Sequence, residues 1–229
     1  MSDDLHLSPQ EKEAILRSID HTFLRPEGGP AEIDRLCDEA LAHRFGAVCV
    51  QPLWVARAAR RLRGTGVRVA SVVGFPHGAQ TAEVKAAEAR RAVADGADEL
   101  DMVIAFGALR AGLDDLVEEE IRAVVAAGVP VKCILETGAL SDEEVDRGCD
   151  LAARAGARFV KTSTGFGPGG ATPEAVRRMR ARVGGRLGVK AAGGIRTLAD
   201  LLLLREAGAD RFGTSHGVAI ARELEEAAR

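Results

Sequence analysis

The chain has no tyrosine, one tryptophan and seven phenylalanines in 229 residues. Packing therefore rests on Val, Ile, Leu and Ala rather than on aromatic rings. No apolar run approaches the ~20 residues that a membrane-crossing helix needs, and residues 1–10 are polar. A cytoplasmic protein is expected, with no membrane partner. Neither sign of charge dominates: 31 Lys and Arg stand against 34 Asp and Glu, a net charge of −3. That leaves no basic field to attract nucleic acid. The four cysteines, Cys37, Cys49, Cys133 and Cys149, lack the paired spacing of a zinc site. Cys49 and Cys133 lie inside apolar runs and read as buried thiols. No His, Asp or Glu cluster has metal-ligand spacing, so no metal and no cofactor is expected.

What is present is an alternation. Apolar residues are 46% and charged residues 28% of the chain, enough for a sizeable core under a solvated surface. Short apolar runs fall at 18–21, 47–50, 67–73, 99–104, 129–135, 157–161, 189–192 and 210–213. Amphipathic helical patterns lie near 31–44, 52–63, 80–95, 108–127, 141–155, 173–183, 197–207 and 216–227. Gly46, Gly66, Gly96, Gly128, Gly156 and Gly208 stand where left-handed helix caps belong. Thr81, Ser141, Thr172 and Thr197 stand at expected N-caps. Strands alternating with helices require parallel pairing. About eight such units in roughly 200–250 residues predict an α/β fold, a (β/α)8 TIM barrel. An open doubly wound sheet is the alternative, but the first strand–helix turn lacks a G-x-G-x-x-G fingerprint. An extra N-terminal helix near 11–17 is expected to cover the barrel bottom. No linker divides the chain, so residues 1–229 read as one domain.

A barrel places its chemistry at the C-terminal strand ends. There the sequence puts Asp20 and His21, Asp101, Lys132 and Glu136, Lys161 and Lys190. Lys161 ends the run Phe159-Val160 and opens into Thr162-Ser163-Thr164-Gly165-Phe166-Gly167-Pro168-Gly169-Gly170. Partial desolvation at such a lip disfavours the charged ammonium, so this lysine is a candidate amine nucleophile for Schiff-base chemistry. A lysine that merely reaches solvent from a strand end is the plainer reading. Lys190, one strand away, would repel a charged Lys161, and Asp101 could hold the remaining ammonium and move protons. A structural ion-pair plug in the barrel centre is the competing account; three ionisable groups converging on one lip favour catalysis.

The loops after strands seven and eight are the usual phosphate site of this architecture. Here they read Gly193-Gly194-Ile195-Arg196 and Thr214-Ser215-His216-Gly217, the latter opening the last helix. Glycines admit an anion to backbone N–H groups, and a helix N-terminus adds a favourable dipole. The glycine-rich loop at 165–170 lies on the other side. Singly, each glycine pair could be a plain turn; together, at these strand ends, they favour a phosphorylated small-molecule substrate.

These motifs also resemble one family. Ile19-Asp20-His21-Thr22, Val72-Val73-Gly74-Phe75-Pro76, Glu99-Leu100-Asp101-Met102-Val103-Ile104, Leu135-Glu136-Thr137-Gly138, Phe159-Val160-Lys161-Thr162-Ser163-Thr164-Gly165-Phe166 and Val189-Lys190-Ala191-Ala192-Gly193-Gly194-Ile195-Arg196 are similar, in this order, to the deoxyribose-phosphate aldolases. The resemblance runs from about Ile19 to Gly217. It implies a class I aldolase that cleaves 2-deoxy-D-ribose 5-phosphate to glyceraldehyde 3-phosphate and acetaldehyde. It implies Lys161 as the Schiff-base lysine, Lys190 as the lysine that tunes it, and Asp101 as the relay carboxylate. Phosphate contacts would fall on Gly165, Gly193, Gly194 and Ser215. Thr164 and Asp20 complete the expected substrate-binding set, and a homo-oligomer, dimer or tetramer, is expected.

Three departures accompany the resemblance. Ala105 stands where an Asn usually follows the aspartate motif. His216 stands where a second serine often lies. The chain ends Glu225-Glu226-Ala227-Ala228-Arg229 without the tail tyrosine of some members, which implies slower proton exchange, or a relay made only by Asp101, Lys190 and water. Two other readings compete: a different phosphate-binding barrel enzyme, such as an isomerase or a ketose-phosphate aldolase, and a catalytically silent binding barrel. The two lysine motifs oppose an isomerase, product analysis with acetaldehyde separates the aldolases, and the intact Asp101, Lys161 and Lys190 set opposes a silent barrel.

Overall fold

A computed structural model describes residues 7–227; the ends of the expected domain, 1–6 and 228–229, lie outside them. Parallel strands β1 (Ile19–Phe23), β2 (Ala47–Val50), β3 (Arg68–Val73), β4 (Glu99–Val103), β5 (Val131–Ile134), β6 (Phe159–Lys161), β7 (Gly188–Ala192) and β8 (Arg211–Thr214) pair in chain order. β8 pairs back onto β1 and closes the barrel. The helices are α1 (Pro9–Arg17), α2 (Pro30–Ala42), α3 (Val55–Leu62), α4 (Ala82–Ala94), α5 (Phe106–Arg110), α6 (Asp114–Val125), α7 (Asp142–Arg154), α8 (Pro173–Val183), α9 (Leu198–Glu206) and α10 (Gly217–Glu226). Among the described residues no helix is long and apolar enough to cross a membrane.

Local chemistry sets many of the ends. Ser141, Thr172 and Thr197 accept hydrogen bonds from the third N–H of α7, α8 and α9. Thr81 holds the N-cap position of α4 without a side-chain bond to the helix backbone. α1 starts on a capping box of Ser8 and Glu11. Most of the expected glycine caps are left-handed, but Gly46 is not. Arg44 takes the positive φ of 56° instead. Gly46 is required for space: a Cβ there would stand 2.0 Å from the carbonyl oxygen of Arg17. That contact seats the end of α1 against the start of β2, on the barrel bottom. The single helix expected near 108–127 is two. α5 stops at Arg110, Gly112 turns the chain with φ 75°, and α6 restarts at Asp114. The helical period runs through this break because both pieces keep apolar residues, Leu109 and Val117, inward.

Strand alternation divides the interior in two. Val69, Val73, Leu100, Met102, Val131, Cys133, Val160, Val189 and Phe212 pack outward against the helices in the main core. Burying each such aliphatic side chain stabilises the fold by about 1.5–3 kcal/mol. Cys49, Ala70 and Val72 form a smaller group with Leu24 and Phe75 on the other face of the sheet. The aliphatic packing expected of the barrel holds for the layer between sheet and helices. The lumen is instead charged, because the inward positions of β1, β4, β5, β7 and β8 carry Asp20, Glu99, Asp101, Lys132, Lys190 and Arg211, all buried.

Candidate active site

Strand register brings the charged residues into contact. Lys161 lies beside Lys190 across β6 and β7, and Asp101 beside Lys132 across β4 and β5. Asp101 is the hub. Its Oδ1 accepts from Lys132 Nζ at 2.9 Å. Its Oδ2 accepts from Lys161 Nζ at 2.9 Å and from Lys190 Nζ at 2.7 Å. Lys190 also donates to Asp20 Oδ2, and Arg211 bonds the other oxygen of Asp20. Arg211 Nη1 meets both oxygens of Glu99 at 2.8 Å, and Glu99 further receives Lys132 and, from the barrel bottom, Arg68.

Burial opposes every one of these charges, and the pairing overrides it. For Asp101, desolvation pushes the carboxyl up, but Lys132, Lys161 and Lys190 together hold it well below the usual carboxylate range. Asp20 is desolvated in the same way and lowered by Lys190 and Arg211. Glu99 is lowered by Lys132 and Arg211 against its burial. Desolvation alone would lower Lys190, but Asp101 and Asp20 hold it above the ordinary lysine range. The pairing thus favours the charged forms of Lys190 and Asp101 in the resting cluster.

A cavity of about 470 Å³ opens above this cluster at the C-terminal strand ends. Lys161 lies in its wall with Thr164, Gly165 and Phe166 on one side; Gly193, Gly194, Arg196, Ser215 and His216 stand on another. Gly165, Gly193 and Gly194 have φ of 82°, 90° and 84°, conformations that a side chain would resist. Among the described residues, the N–H groups of Gly165, Gly193, Gly194 and Ser215 donate to no protein acceptor. Unused donors around one end of a cavity are what an anion requires.

Of the expected site residues, Lys161, Thr164, Gly165, Gly193, Gly194 and Ser215 line this cavity, and Asp101 and Lys190 lie directly beneath Lys161. Asp20, expected among the substrate-binding residues, has no exposed surface and does not line the cavity; its oxygens are taken by Lys190 and Arg211. At the two departures, the Ala105 N–H donates to Glu120 Oε1 at 2.6 Å, and His216 Nδ1 lies 3.2 Å from Ser215 Oγ at the cavity rim. Cys49 is buried as expected, with Sγ 4.0 Å from Asp101 Oδ2 and its thiol raised to about 11 by desolvation and that carboxylate. Lys132, Glu99 and Arg211 received no role from sequence. Their signal is a charged residue at an inward strand position, legible only once inward and outward positions are known. Among the described residues, no three His, Cys, Asp or Glu side chains are grouped to hold a metal ion.

An ion-paired lysine couple at the mouth of a closed parallel barrel, below an anion-ready rim, defines a Schiff-base type of barrel enzyme. Comparison with known proteins narrows that class. Residues 14–224 match the model of the DeoC/LacD family aldolases, and the chain belongs to that family. It is 53% identical over 209 residues to a deoxyribose-phosphate aldolase of Geobacillus sp., covering 90% of this chain and 94% of that protein. It is 52% identical over 212 residues to the deoxyribose-phosphate aldolase of Bacillus subtilis, covering 91% and 95%. Among solved structures, a tetrameric deoxyribose phosphate aldolase from Aeropyrum pernix superposes with a TM-score of 0.87 at 33% identity, covering 94% of this chain and 93% of that one.

Proposed function

We propose that this chain cleaves 2-deoxy-D-ribose 5-phosphate to D-glyceraldehyde 3-phosphate and acetaldehyde, reversibly, with Lys161 as the Schiff-base nucleophile. One observation carries the assignment. Of the three lysines bound to Asp101, namely Lys132, Lys161 and Lys190, Lys161 is the one that lines the cavity.

Lys161 Nζ attacks C1 of the open-chain sugar and gives a carbinolamine. Lys190 gives a proton to the carbinol oxygen, which leaves as water, and Asp101 and Asp20 hold the amine that remains. The iminium then acts as an electron sink. The C4 hydroxyl returns a proton to Lys190 through a bound water, the C3–C4 bond breaks, and glyceraldehyde 3-phosphate departs. The electrons left behind form an enamine. Lys190 protonates its terminal carbon through the same water; one water then adds to the iminium carbon and gives a proton back to Lys190, and acetaldehyde leaves with the Lys161 amine restored. Asp101 holds the positions of Lys161 and Lys190 and balances their charge throughout. The unused N–H groups of Gly165, Gly193, Gly194 and Ser215 receive the phosphate, with Thr164 beside it.

The physiological role that follows is deoxyribonucleotide catabolism in the cytoplasm. A homo-oligomer, dimer or tetramer, is part of the same reading; exposed Val84, Leu113 and Leu116 on and beside α4 and α6 are apolar surface that a second copy could cover.

The test is borohydride reduction in the presence of acetaldehyde, followed by peptide mass spectrometry. One ethyl group on Lys161 is expected, and none in Lys161→Arg, since a guanidinium forms no imine. Label on Lys190 or Lys132, or no label, defeats the assignment.

A further inference from the structure

Glu136, at the end of β5, is the residue after the strand core that the reaction above does not use. It has φ 63° and ψ 59°, a left-handed conformation that a glutamate rarely adopts. It is buried, with 2% of its surface exposed. Among the described residues its carboxylate is hydrogen-bonded by Thr164 alone. The Thr164 hydroxyl donates to Oε2 at 2.5 Å, and the Thr164 N–H reaches both oxygens at 3.3 and 3.4 Å. A buried carboxylate bound only by neutral donors, on a strained backbone, is costly unless it has a task.

Its surroundings indicate the task. The Thr164 hydroxyl in turn accepts from the N–H groups of Phe166 and Gly167 at 3.0 and 3.2 Å. Gly167 lies on the carboxylate itself: a Cβ there would stand 2.8 Å from Glu136 Cδ. The next residues are clamped further along. A Cβ on Gly138 would stand 2.0 Å from the Pro168 carbonyl oxygen, and the Ala171 N–H donates to Gly193 O at 2.9 Å. The loop from Thr164 to Ala171 is therefore a strap, tied to the end of β5 at one side and to the end of β7 at the other. Thr164, Gly165 and Phe166, at its start, line the cavity; Glu136 does not.

We propose that Glu136 is a positioning residue for the substrate's phosphate. It fixes the Thr164 turn so that the Gly165 N–H faces the cavity beside the Gly193 and Gly194 pair. The left-handed backbone is what turns the carboxylate from the end of β5 under the neighbouring loop. This rests on the aldolase reading above, in which the anion enters at Gly165, Gly193 and Gly194.

The test compares Glu136→Gln, which keeps the shape and one acceptor, with Glu136→Gly, which accepts the left-handed backbone and removes the carboxylate. Steady-state kinetics are measured on 2-deoxyribose 5-phosphate and on unphosphorylated 2-deoxyribose, and acetaldehyde trapping on Lys161 is measured in parallel. In Glu136→Gly, KM for the phosphate substrate should rise between about ten- and a hundredfold. kcat/KM for the unphosphorylated sugar and the trapping yield should stay near wild type. Glu136→Gln should lie between the two. Thr164→Val should reproduce the KM change, and combining it with Glu136→Gly should add little, because both break the same link. Equal losses on the two sugars, or an unchanged KM for the phosphate substrate, overturns the proposal. If Glu136→Gly does not fold, the same comparison on Glu136→Gln decides. Failure of trapping in the wild-type protein defeats the aldolase reading instead, so the two failures are distinguishable.

Discussion

Lys161 and Lys190 donate to one oxygen. Their Nζ atoms lie 2.9 and 2.7 Å from Asp101 Oδ2, while Lys132 holds the other carboxylate oxygen at 2.9 Å. Two lysines donating to one oxygen are tolerable only while that oxygen belongs to an anion. Asp101→Asn removes the anion, and the amide adds a donor that faces lysines. Activity on 2-deoxyribose 5-phosphate should fall by about 10²-fold or more, in kcat rather than KM. A variant that folds and keeps a wild-type kcat would contradict the role of Asp101.

Lys190→Met tests the second cation. It removes a positive charge held beside Lys161 and leaves Asp20 to Arg211 and, at 3.9 Å, Lys132. Loss of that charge favours the protonated form of the nucleophile. The kcat/KM profile should shift to higher pH, and the rate near neutrality should fall by about two orders of magnitude or more. An unshifted profile at wild-type rate sinks the relay.

The phosphate rim is tested at Gly194. A Cβ added there meets nothing within 4 Å, so a larger side chain would project without a backbone clash, although the φ of 84° is unfavourable to it. Gly194→Glu puts a carboxylate at the rim. KM for the phosphorylated sugar should rise far more than for 2-deoxyribose, and kcat for the phosphate substrate should drop as well, because remote binding energy is used at the reacting carbon. Equal loss on both sugars in a variant that still melts cooperatively means that the glycine only shapes a turn.

Arg211 separates support from chemistry. It bridges Asp20 and Glu99 and does not line the cavity. Arg211→Met leaves two buried carboxylates short of a partner, which costs about 3–5 kcal/mol. At roughly 2–4 °C per kcal/mol for a protein of this size, Tm should fall by about 10 °C. Differential scanning calorimetry checks it, and a Tm within a degree or two of wild type is the contrary result.

Stability should form a plateau in pH. Asp20, Glu99 and Asp101 have folded values below their unfolded ones, so the stability they confer is present above about pH 5 and is lost as pH falls through the folded values. Lys190 is raised, so its contribution is complete below about pH 10 and declines as pH rises toward its folded value. Two groups modify the acid side. Burial lowers His21 despite Glu39, so its share begins to fall near pH 6.5. Burial raises Glu120 despite Lys85, so protonating it in acid offsets part of the loss. Tm measured from pH 3 to 11 should fall at both ends, more steeply in acid; a Tm that rises below pH 5 would refute the ion-pair account.

Much of the architecture was legible in the residues themselves. Apolar runs with period two and helices with period 3.6 are local signals, and Ser141, Thr172 and Thr197 bring their caps with them. Lys161 stood out because a strand cannot continue into Gly165-Phe166-Gly167-Pro168. The glycines at 193 and 194 followed from the same strand-end logic. What the sequence could not supply is which groups meet. Asp20 and Lys190 are 170 residues apart and bonded. Only closure of β8 onto β1 brings them together, and that contact joins Asp20 to the lysine cluster. The two faces of each strand look alike in a run such as Val131-Lys132-Cys133-Ile134 until the helices cover one of them. Barrel closure then decided that the other face would be charged, paired and continuous with the lysine at the mouth. The nucleophile was a local inference; its environment depends on long-range contacts, because electrostatics acts through distances in space rather than along the chain.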